Sequence, residues 1–210
     1  MTAIHARLLM TERAALLPLL RRTPADAFDR PTVCTEWSVR DVIAHCATAL
    51  VRVASGPAHG FTPEENQADV DERKSWPIAD VLAELEHGYA LGASSEAVSG
   101  VALGEWVHGG DIREALGERC AYSSAGVEDA LSLLSEESAE EGLSPTDVEL
   151  TDADALSLRA ATLRLGDPEA APVGRLRTDT AGLFRIVANR RPELADYSLE
   201  GVTIADLRLF

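Results

Sequence analysis

The sequence predicts an α+β protein in which an N-terminal four-helix bundle is followed by a small α/β domain. Two observations lead to this fold class. Up to Gly142, apolar residues recur at the spacing of about 3.6 residues that is typical of amphipathic helices. After Gly142, stretches of alternating apolar and polar residues indicate strands, with one short helical segment among them. We therefore expect two domains, residues 1–143 and residues 144–210.

The first two helices are indicated by apolar stripes and by residues that favour helix ends. Residues 5–21 carry leucines at helical spacing, and Pro24 ends this segment because the residue before a proline avoids helical backbone angles. A second helix is expected over about residues 35–54, with a capping hydroxyl in the segment Thr35-Glu36-Trp37-Ser38. The Ser-Gly-Pro sequence that follows ends this helix.

The remaining helices follow a polar connection. Residues 56–75 are polar and contain prolines, so we expect a surface segment there. Whether this segment, with its His59, forms a lid over a site stays open. Apolar residues at helical spacing then predict helices over residues 78–89, 101–116 and 124–141. Short connections between consecutive helices favour an up-and-down bundle.

The C-terminal segment has the pattern of a small α/β unit. Residues 156–165 alternate with period two and are expected to form a strand that turns at residues 166–168. A second strand is expected at residues 174–178 and a short helix at residues 180–189, and strand-like stretches follow between residues 197 and 210.

Composition and charge exclude several classes of protein. Hydrophobic residues make up 46% and charged residues 26% of the chain, as in ordinary folded domains. The net charge of −16 argues against a nucleic-acid partner, because such binding depends on basic residues that neutralise phosphates. A signal-peptide pattern and a long apolar segment are both missing, so we expect a cytoplasmic protein without a membrane partner. Cys34, Cys46 and Cys120 are too widely spaced for a metal knuckle and are expected to be free thiols.

Two predicted helices carry side chains that suit a metal ion. On the second helix, Trp37, Asp41 and His45 are spaced by four residues and share one face. On a later helix, Glu105 and His108 form a Glu-x-x-His pair, which helix bundles use to present a carboxylate and an imidazole to a metal. Together with His45, this pair predicts a site with three protein ligands, which leaves a fourth position open as in catalytic zinc sites.

Other roles for these and neighbouring residues stay open. We expect a single divalent metal ion, Zn²⁺ first, with Ni²⁺ or Fe²⁺ as alternatives for this donor set. A histidine alone on a helix is more often structural than a ligand, and Asp41 is expected to support a helix terminus rather than catalysis. Gly109 and Gly110 are unusual inside a helix, and close packing or the close approach of a ligand would explain them. His87 is expected to face solvent, and Arg190 is a candidate anion site.

Two segments of the chain also carry the sequence patterns of a known family. The segment CTEWSVRDVIAH at residues 34–45 combines a cysteine, a tryptophan, V-R-D-V and a histidine, and EWVHGGDIREALG at residues 105–117 contains the pattern H-G-x-D-I-R-x-x-L-G. With these segments the chain resembles the mycothiol-dependent maleylpyruvate isomerase family, a branch of the DinB-like four-helix metalloproteins. Residues 183–190 and 197–201 are similar to the small C-terminal domain of that family, so the resemblance spans nearly the whole chain.

The resemblance implies a site and a cosubstrate. By position, it makes His45, Glu105 and His108 metal ligands and Arg190 a substrate-binding residue, and it implies mycothiol as cosubstrate in an actinobacterial-type protein. The chain departs from the family pattern in two places. Glu105 stands three residues before His108 where the family carboxylate stands four residues before it, and Asn189 precedes Arg190 where the family usually has glycine.

Two hypotheses about function follow. The first is a mononuclear metal-dependent enzyme, a monomer or homodimer, that acts on a small acid or electrophile with a low-molecular-weight thiol. It would either isomerise this substrate or attach the thiol to it through sulfur, as a thiol S-transferase does. The alternative is a non-catalytic binding or structural module that keeps the fold and has lost the metal-dependent chemistry. About one metal ion per chain favours the enzyme, and a site that takes up no metal favours the module. The sequence assigns no catalytic residue in either case.

Overall fold

The computed structural model describes residues 3–34, 37–56 and 61–210, so that Thr35 and His59 lie outside the described residues. The chain divides into two compact units, Met1–Arg119 and Cys120–Phe210. The first unit is helical and the second contains a four-stranded sheet, which confirms the predicted α+β fold class. Within the described ranges, every helix is too short or too polar to span a membrane.

The N-terminal unit is a four-helix bundle with one additional helix. α2 packs against α4 and α5, and α1 packs against the same two helices, so these four elements enclose the core. The leucine-rich stripes predicted from the sequence form that core, and the helices expected at residues 5–21, 78–89 and 101–116 correspond to α1, α4 and α5. The helices are α1 (Ile4–Arg22), α2 (Val39–Ser55), α3 (Pro63–Arg73), α4 (Ile78–Gly92) and α5 (Ala102–Leu116).

α2 begins later than the sequence predicts. Ser38 is its N-cap: the Ser38 hydroxyl accepts a hydrogen bond from the backbone N–H of Asp41, and the Asp41 carboxylate accepts one from the backbone N–H of Ser38 at 2.9 Å. This reciprocal capping box fixes the start of the helix at Val39. Asp41 therefore supports a helix terminus, as the sequence indicates.

The segment expected as a surface connection, residues 56–75, is mostly exposed where it is described, but it contains a helix, α3, that the sequence does not predict. The helix begins at Pro63, whose fixed φ suits a first helical turn, and Thr62 and Glu65 form a capping box at its start. α3 packs against α2, and Val70 is its one buried apolar residue among those described. A helix with so little apolar surface has no stripe by which its sequence would reveal it.

The C-terminal unit combines helices with a mixed sheet. The strand order is β2-β1-β3-β4, with β1 and β3 parallel and the two outer pairs antiparallel. α6 packs against β2 and belongs to this unit. The domain boundary predicted after residue 143 stays a prediction. The elements are α6 (Val127–Glu140), β1 (Thr146–Leu150), α7 (Ala153–Leu156), β2 (Thr162–Leu165), β3 (Gly174–Thr178), α8 (Thr180–Val187) and β4 (Tyr197–Glu200).

The strands alternate between a buried and a charged face. Val148 and Leu176, which are paired across β1 and β3, are each 1% exposed, and the large apolar side chains of α8 are fully buried in the same unit. On the other face, Asp147 pairs with Arg164 at 2.7 Å across β1 and β2. One side of the sheet therefore belongs to the core and the other side carries charged groups.

Two features of the sheet differ from the sequence prediction. β1 is not predicted, because its five residues include acidic side chains and only two apolar ones. The strand expected over residues 156–165 begins only at Thr162, because α7 and the left-handed Ser157, with φ of 56°, occupy the preceding residues. The strand expected at residues 174–178 is confirmed as β3.

Candidate metal centre

Three chemically different side chains meet where the loop before α2 reaches α5. Cys34 lies in that loop, and His108 and Asp111 lie on α5. Nδ1 of His108 is 3.0 Å from Oδ2 of Asp111, and the Cys34 thiol donates to the same oxygen at 2.9 Å. Sγ of Cys34 is 3.6 Å from Nδ1 of His108. The ligand atoms of this cluster all lie within 4.8 Å of one another.

The local sequence explains this meeting. His108 and Asp111 are three residues apart on α5, so helical geometry places both side chains on one face. Thr32 holds the Cys34 loop, because its hydroxyl accepts a hydrogen bond from the backbone N–H of Cys34 at 3.2 Å. The Ser38 capping box then begins α2 immediately afterwards. The Cys34 thiol is directed at Asp111 of α5.

His45 brings a second imidazole to the cluster from α2. Its ring centroid lies 5.1 Å from that of His108, with the two rings edge to face at 78°. The Trp37 ring lies 4.9 Å from the His45 ring, and its Nε1 donates to Gln67 of α3 at 3.0 Å. His45 is 7% exposed and the His108 side chain 16%, so both imidazoles are largely removed from water. Two of the three sequence-predicted ligands are therefore neighbours.

Glu105 lies one turn before His108 on α5, but its carboxyl group has other neighbours. It is 3% exposed, and its pKa is raised to about 8. Burial is the main cause and the charge of Glu12 acts in the same direction, whereas a hydrogen bond from Cys46 lowers the pKa. Among the described residues, its Oε2 has no hydrogen-bond partner. Glu105, like His45, is outside the group of ligand atoms formed by Cys34, His108 and Asp111. Its role as a metal ligand stays a prediction.

The spacing Glu-x-x-His occurs a second time in α4, at Glu84 and His87. Glu84 accepts a hydrogen bond from Arg73 at 2.7 Å, and His87 is exposed, as expected from the sequence. This second pair is therefore engaged elsewhere. The single metal ion stays a prediction.

Cys46 follows His45 on α2 but occupies a different environment. Adjacent residues on a helix do not share a face, and Cys46 is 2% exposed in the bundle core. Burial raises the pKa of this thiol well above its usual value, and the nearby Glu105 carboxylate raises it further. Cys46 is thus a neutral buried thiol, as the sequence predicts.

Arg190 follows α8 in the C-terminal unit. Its Nη1 donates to the backbone oxygen of Ala188 at 3.0 Å. The preceding Asn189 has φ of 52°, a left-handed conformation that glycine adopts freely and that asparagine tolerates better than most residues. Asn189 therefore adopts the backbone turn at this position. The role of Arg190 in substrate binding stays a prediction.

The residues of the cluster fit a divalent metal ion by the chemistry of their donors. Imidazole, thiolate and carboxylate are the three side-chain types that zinc takes in proteins. The contact of Asp111 with Nδ1 of His108 is also the arrangement by which a carboxylate orients a metal-binding imidazole. The sequence names both histidines, whereas Cys34 and Asp111 become candidates only when the fold joins them. The three-residue spacing of His108 and Asp111 is the signal that points to this contact in advance.

Comparison with known proteins adds a family and a fold. A family model described as "Mycothiol maleylpyruvate isomerase N-terminal domain" matches residues 9–122. Two solved structures, of the mycothiol-dependent maleylpyruvate isomerase and of a histidine-to-alanine mutant of it, align with TM-scores of 0.59 and 0.60 at 14% and 13% identity. Each alignment covers 95% of this chain and 93% of the other. No curated protein sequence matches the chain.

Proposed function

The chain belongs to the family of the mycothiol maleylpyruvate isomerase N-terminal domain, and from this premise we propose that it is a mononuclear metal-dependent enzyme. Its cosubstrate is a low-molecular-weight thiol, with mycothiol as the first candidate. Its substrate is a small acid or another small electrophile. The observation that carries the proposal is the approach of His45 and His108, from two different helices, beside the Asp111 carboxylate.

In this proposal His45 and His108 supply the imidazole ligands, and Glu105 is the carboxylate that the sequence predicts. Zn²⁺ is the first choice of ion, with Ni²⁺ or Fe²⁺ as alternatives. Support comes from the burial of both imidazoles and from the orientation of His108 by Asp111. The bound ion supplies a positive charge that stabilises the thiolate form of the cosubstrate at neutral pH.

The protein side chains supply the remaining parts of the mechanism. Trp37 lies beside His45 and is held by Gln67, so its indole limits the access of water to the imidazole. Asp111 keeps the His108 ring in one orientation through its contact with Nδ1. Arg190 is the proposed contact for an acidic group of the substrate, because a guanidinium matches a carboxylate with two parallel hydrogen bonds.

The proposed reaction begins with addition of the thiolate sulfur to one carbon of a cis double bond. The electron pair of that bond moves towards the acid group of the substrate, and the remaining single bond then rotates. Loss of the thiolate restores the double bond in the trans form, so the thiol is regenerated and no atoms are gained or lost. If the addition product takes up a proton and leaves instead, the same site acts as a thiol S-transferase.

A second candidate function is a non-catalytic module of the same fold. The observation that favours it is Glu105, whose buried carboxyl contacts Cys46 rather than the two imidazoles and whose pKa is raised to about 8. A carboxyl group must lose its proton before it binds a metal, so this environment opposes ligation by Glu105. The two candidates differ in one measurable property, the uptake of metal.

The test is the metal content of protein purified without a histidine tag, alongside His45→Ala, His108→Ala and His87→Ala. We expect about one zinc or other transition-metal ion per chain in the parent protein and in the His87 variant, because His87 is exposed and apart from the cluster. The other two variants are expected to lose it. Metal-loaded protein is then assayed for isomerisation of maleylpyruvate with mycothiol. Absence of metal from all four proteins, even after incubation with Zn²⁺, would support the non-catalytic module.

A further inference from the structure

Cys34 approaches the candidate metal centre more closely than the sequence pattern indicates. Its Sγ is 3.6 Å from Nδ1 of His108 and 2.9 Å from Oδ2 of Asp111, and Cys34 is only 9% exposed. The three side chains come from two separate segments of the chain, 74 residues apart between Cys34 and His108. Three different donor atoms thus converge on one small volume.

We propose that the Cys34 thiolate is a ligand of the metal ion at this site, bound beside Nδ1 of His108 with the Asp111 carboxylate as its neighbour. The proposal rests on the proposed function, because both require a metal at His108. It assigns the third ligand to sulfur rather than to Glu105. It also differs from the arrangement above, in which Asp111 orients His108 through Nδ1: here Nδ1 binds the metal, and the Asp111 carboxylate stays beside the ion as a neighbouring negative charge.

The separation of sulfur and nitrogen matches this assignment. With Zn–S bonds of about 2.3 Å and Zn–N bonds of about 2.0–2.1 Å, two ligand atoms at a tetrahedral angle lie about 3.5 Å apart. The observed distance between Sγ of Cys34 and Nδ1 of His108 is 3.6 Å. The distances to Asp111, 2.9 and 3.0 Å, are those of hydrogen bonds, so the carboxylate moves outward slightly when an ion enters.

The other candidate ligands are less suitable than Cys34. The carboxyl group of Glu105 contacts Cys46 and lies outside the group of ligand atoms formed by Cys34, His108 and Asp111. The thiol of Cys46 is buried on another face of α2, and Cys120 is an exposed residue of the C-terminal unit. Cys34 is the cysteine whose sulfur contacts both His108 and Asp111.

A sulfur ligand has chemical consequences for the site. Thiolate ligands favour Zn²⁺ and similar ions over Mg²⁺ or Ca²⁺, which prefer oxygen. Thiolate and carboxylate together balance the charge of a divalent ion, which removes the penalty for placing that ion in a buried position. The metal must displace the thiol proton, which leaves to solvent as the ion binds.

The test is the absorption spectrum of the full-length protein loaded with Co²⁺ in place of zinc. A cobalt ion bound by a thiolate shows a sulfur-to-cobalt charge-transfer band in the near ultraviolet, whereas ligation by nitrogen and oxygen alone does not. We expect the band in the parent protein and its complete loss in Cys34→Ser. Stoichiometric Co²⁺ without this band would overturn the sulfur ligand and leave the proposed function standing, whereas failure to bind Co²⁺ or Zn²⁺ would overturn both.

A second variant keeps the test decisive if Cys34→Ser does not fold. The double variant Cys46→Ala/Cys120→Ser retains Cys34 as its one cysteine. We expect this protein to keep the charge-transfer band at full intensity, and its loss would assign the sulfur to another residue and refute the proposal. X-ray absorption of the zinc form gives an independent reading, because a sulfur neighbour at about 2.3 Å differs from nitrogen or oxygen at about 2.0–2.2 Å.

Discussion

Arg113 and Glu12 form a buried ion pair, with Nη2 of Arg113 2.8 Å from Oε1 of Glu12. The Glu12 side chain is fully buried and that of Arg113 is 6% exposed, so the pair is shielded from water. Burial raises the pKa of Glu12, and the charge and hydrogen bond of Arg113 oppose that rise. Glu12 lies on α1 and Arg113 on α5, the helix that carries His108. The pair therefore joins α5 to α1 within the bundle.

Gly109 makes room for this ion pair, so Gly109→Ala is expected to destabilise the protein. A Cβ atom at this position would lie 2.0 Å from Oε1 of Glu12 and 3.0 Å from Nη1 of Arg113. We expect a loss of about 2–4 kcal/mol in the free energy of unfolding, because the clash displaces a buried charge from its partner. Urea unfolding followed by circular dichroism measures it. The control is Gly100→Ala, where no described atom lies within 4 Å of the added Cβ and little change is expected.

Arg113→Met tests the ion pair itself. It leaves the Glu12 carboxylate buried without its partner, which is expected to cost about 3–5 kcal/mol of unfolding free energy. The double variant Glu12→Leu/Arg113→Met removes both charges and is expected to recover most of that loss. Glu12→Leu, Arg113→Met and the double variant form a double-mutant cycle, in which urea unfolding measures the free energy of each protein. Strictly additive losses would show that the two side chains are not coupled.

These contacts show where the sequence is informative and where it is not. α1, α2 and α4 carry apolar stripes, so their period reveals them, whereas α3 is mostly polar and β1 is short and acidic. His45 and His108 are visible as metal-binding residue types at suitable spacings. The Glu12–Arg113 pair joins residues 101 positions apart, and the contact of Cys34 with Asp111 spans 77. Such pairings depend on the tertiary packing of the helices and leave no local pattern.

Glu137 on α6 is expected to make stability depend on pH near neutrality. Burial, together with the like charges of Glu140, Glu136 and Glu141, raises its pKa from 4.5 to about 7. A carboxyl group with a raised folded-state pKa contributes stability that is full below about pH 4.5 and is lost as pH rises through about 7. Glu137→Gln removes this loss, so the variant should match the parent at pH 4.5 and exceed its stability at pH 8.

Urea midpoints measured from pH 4.5 to 8 check the Glu137 prediction. Glu169→Gln is the control, because it removes the same charge from an exposed position in the same unit. We expect its midpoint to follow that of the parent protein across the range. A constant difference between Glu137→Gln and the parent at every pH would contradict the prediction, because it would show an effect independent of protonation.

Asp111→Asn is expected to weaken zinc binding by at least about 10- to 100-fold, the usual effect of losing a carboxylate that supports a metal-binding histidine. The Asp111 carboxylate contacts both Nδ1 of His108 and Sγ of Cys34, and the amide keeps its shape without its charge. Competition with a chromophoric zinc chelator measures the affinity.

Asp41→Asn is the matched control, because Asp41 caps α2 through Ser38 and lies outside the cluster. It should lower the free energy of unfolding by up to about 1 kcal/mol and leave zinc affinity unchanged. Equal zinc affinities in the parent and Asp111→Asn would mean that the metal lies away from this carboxylate, and the site would then have to be built on His45 without the contact to Asp111.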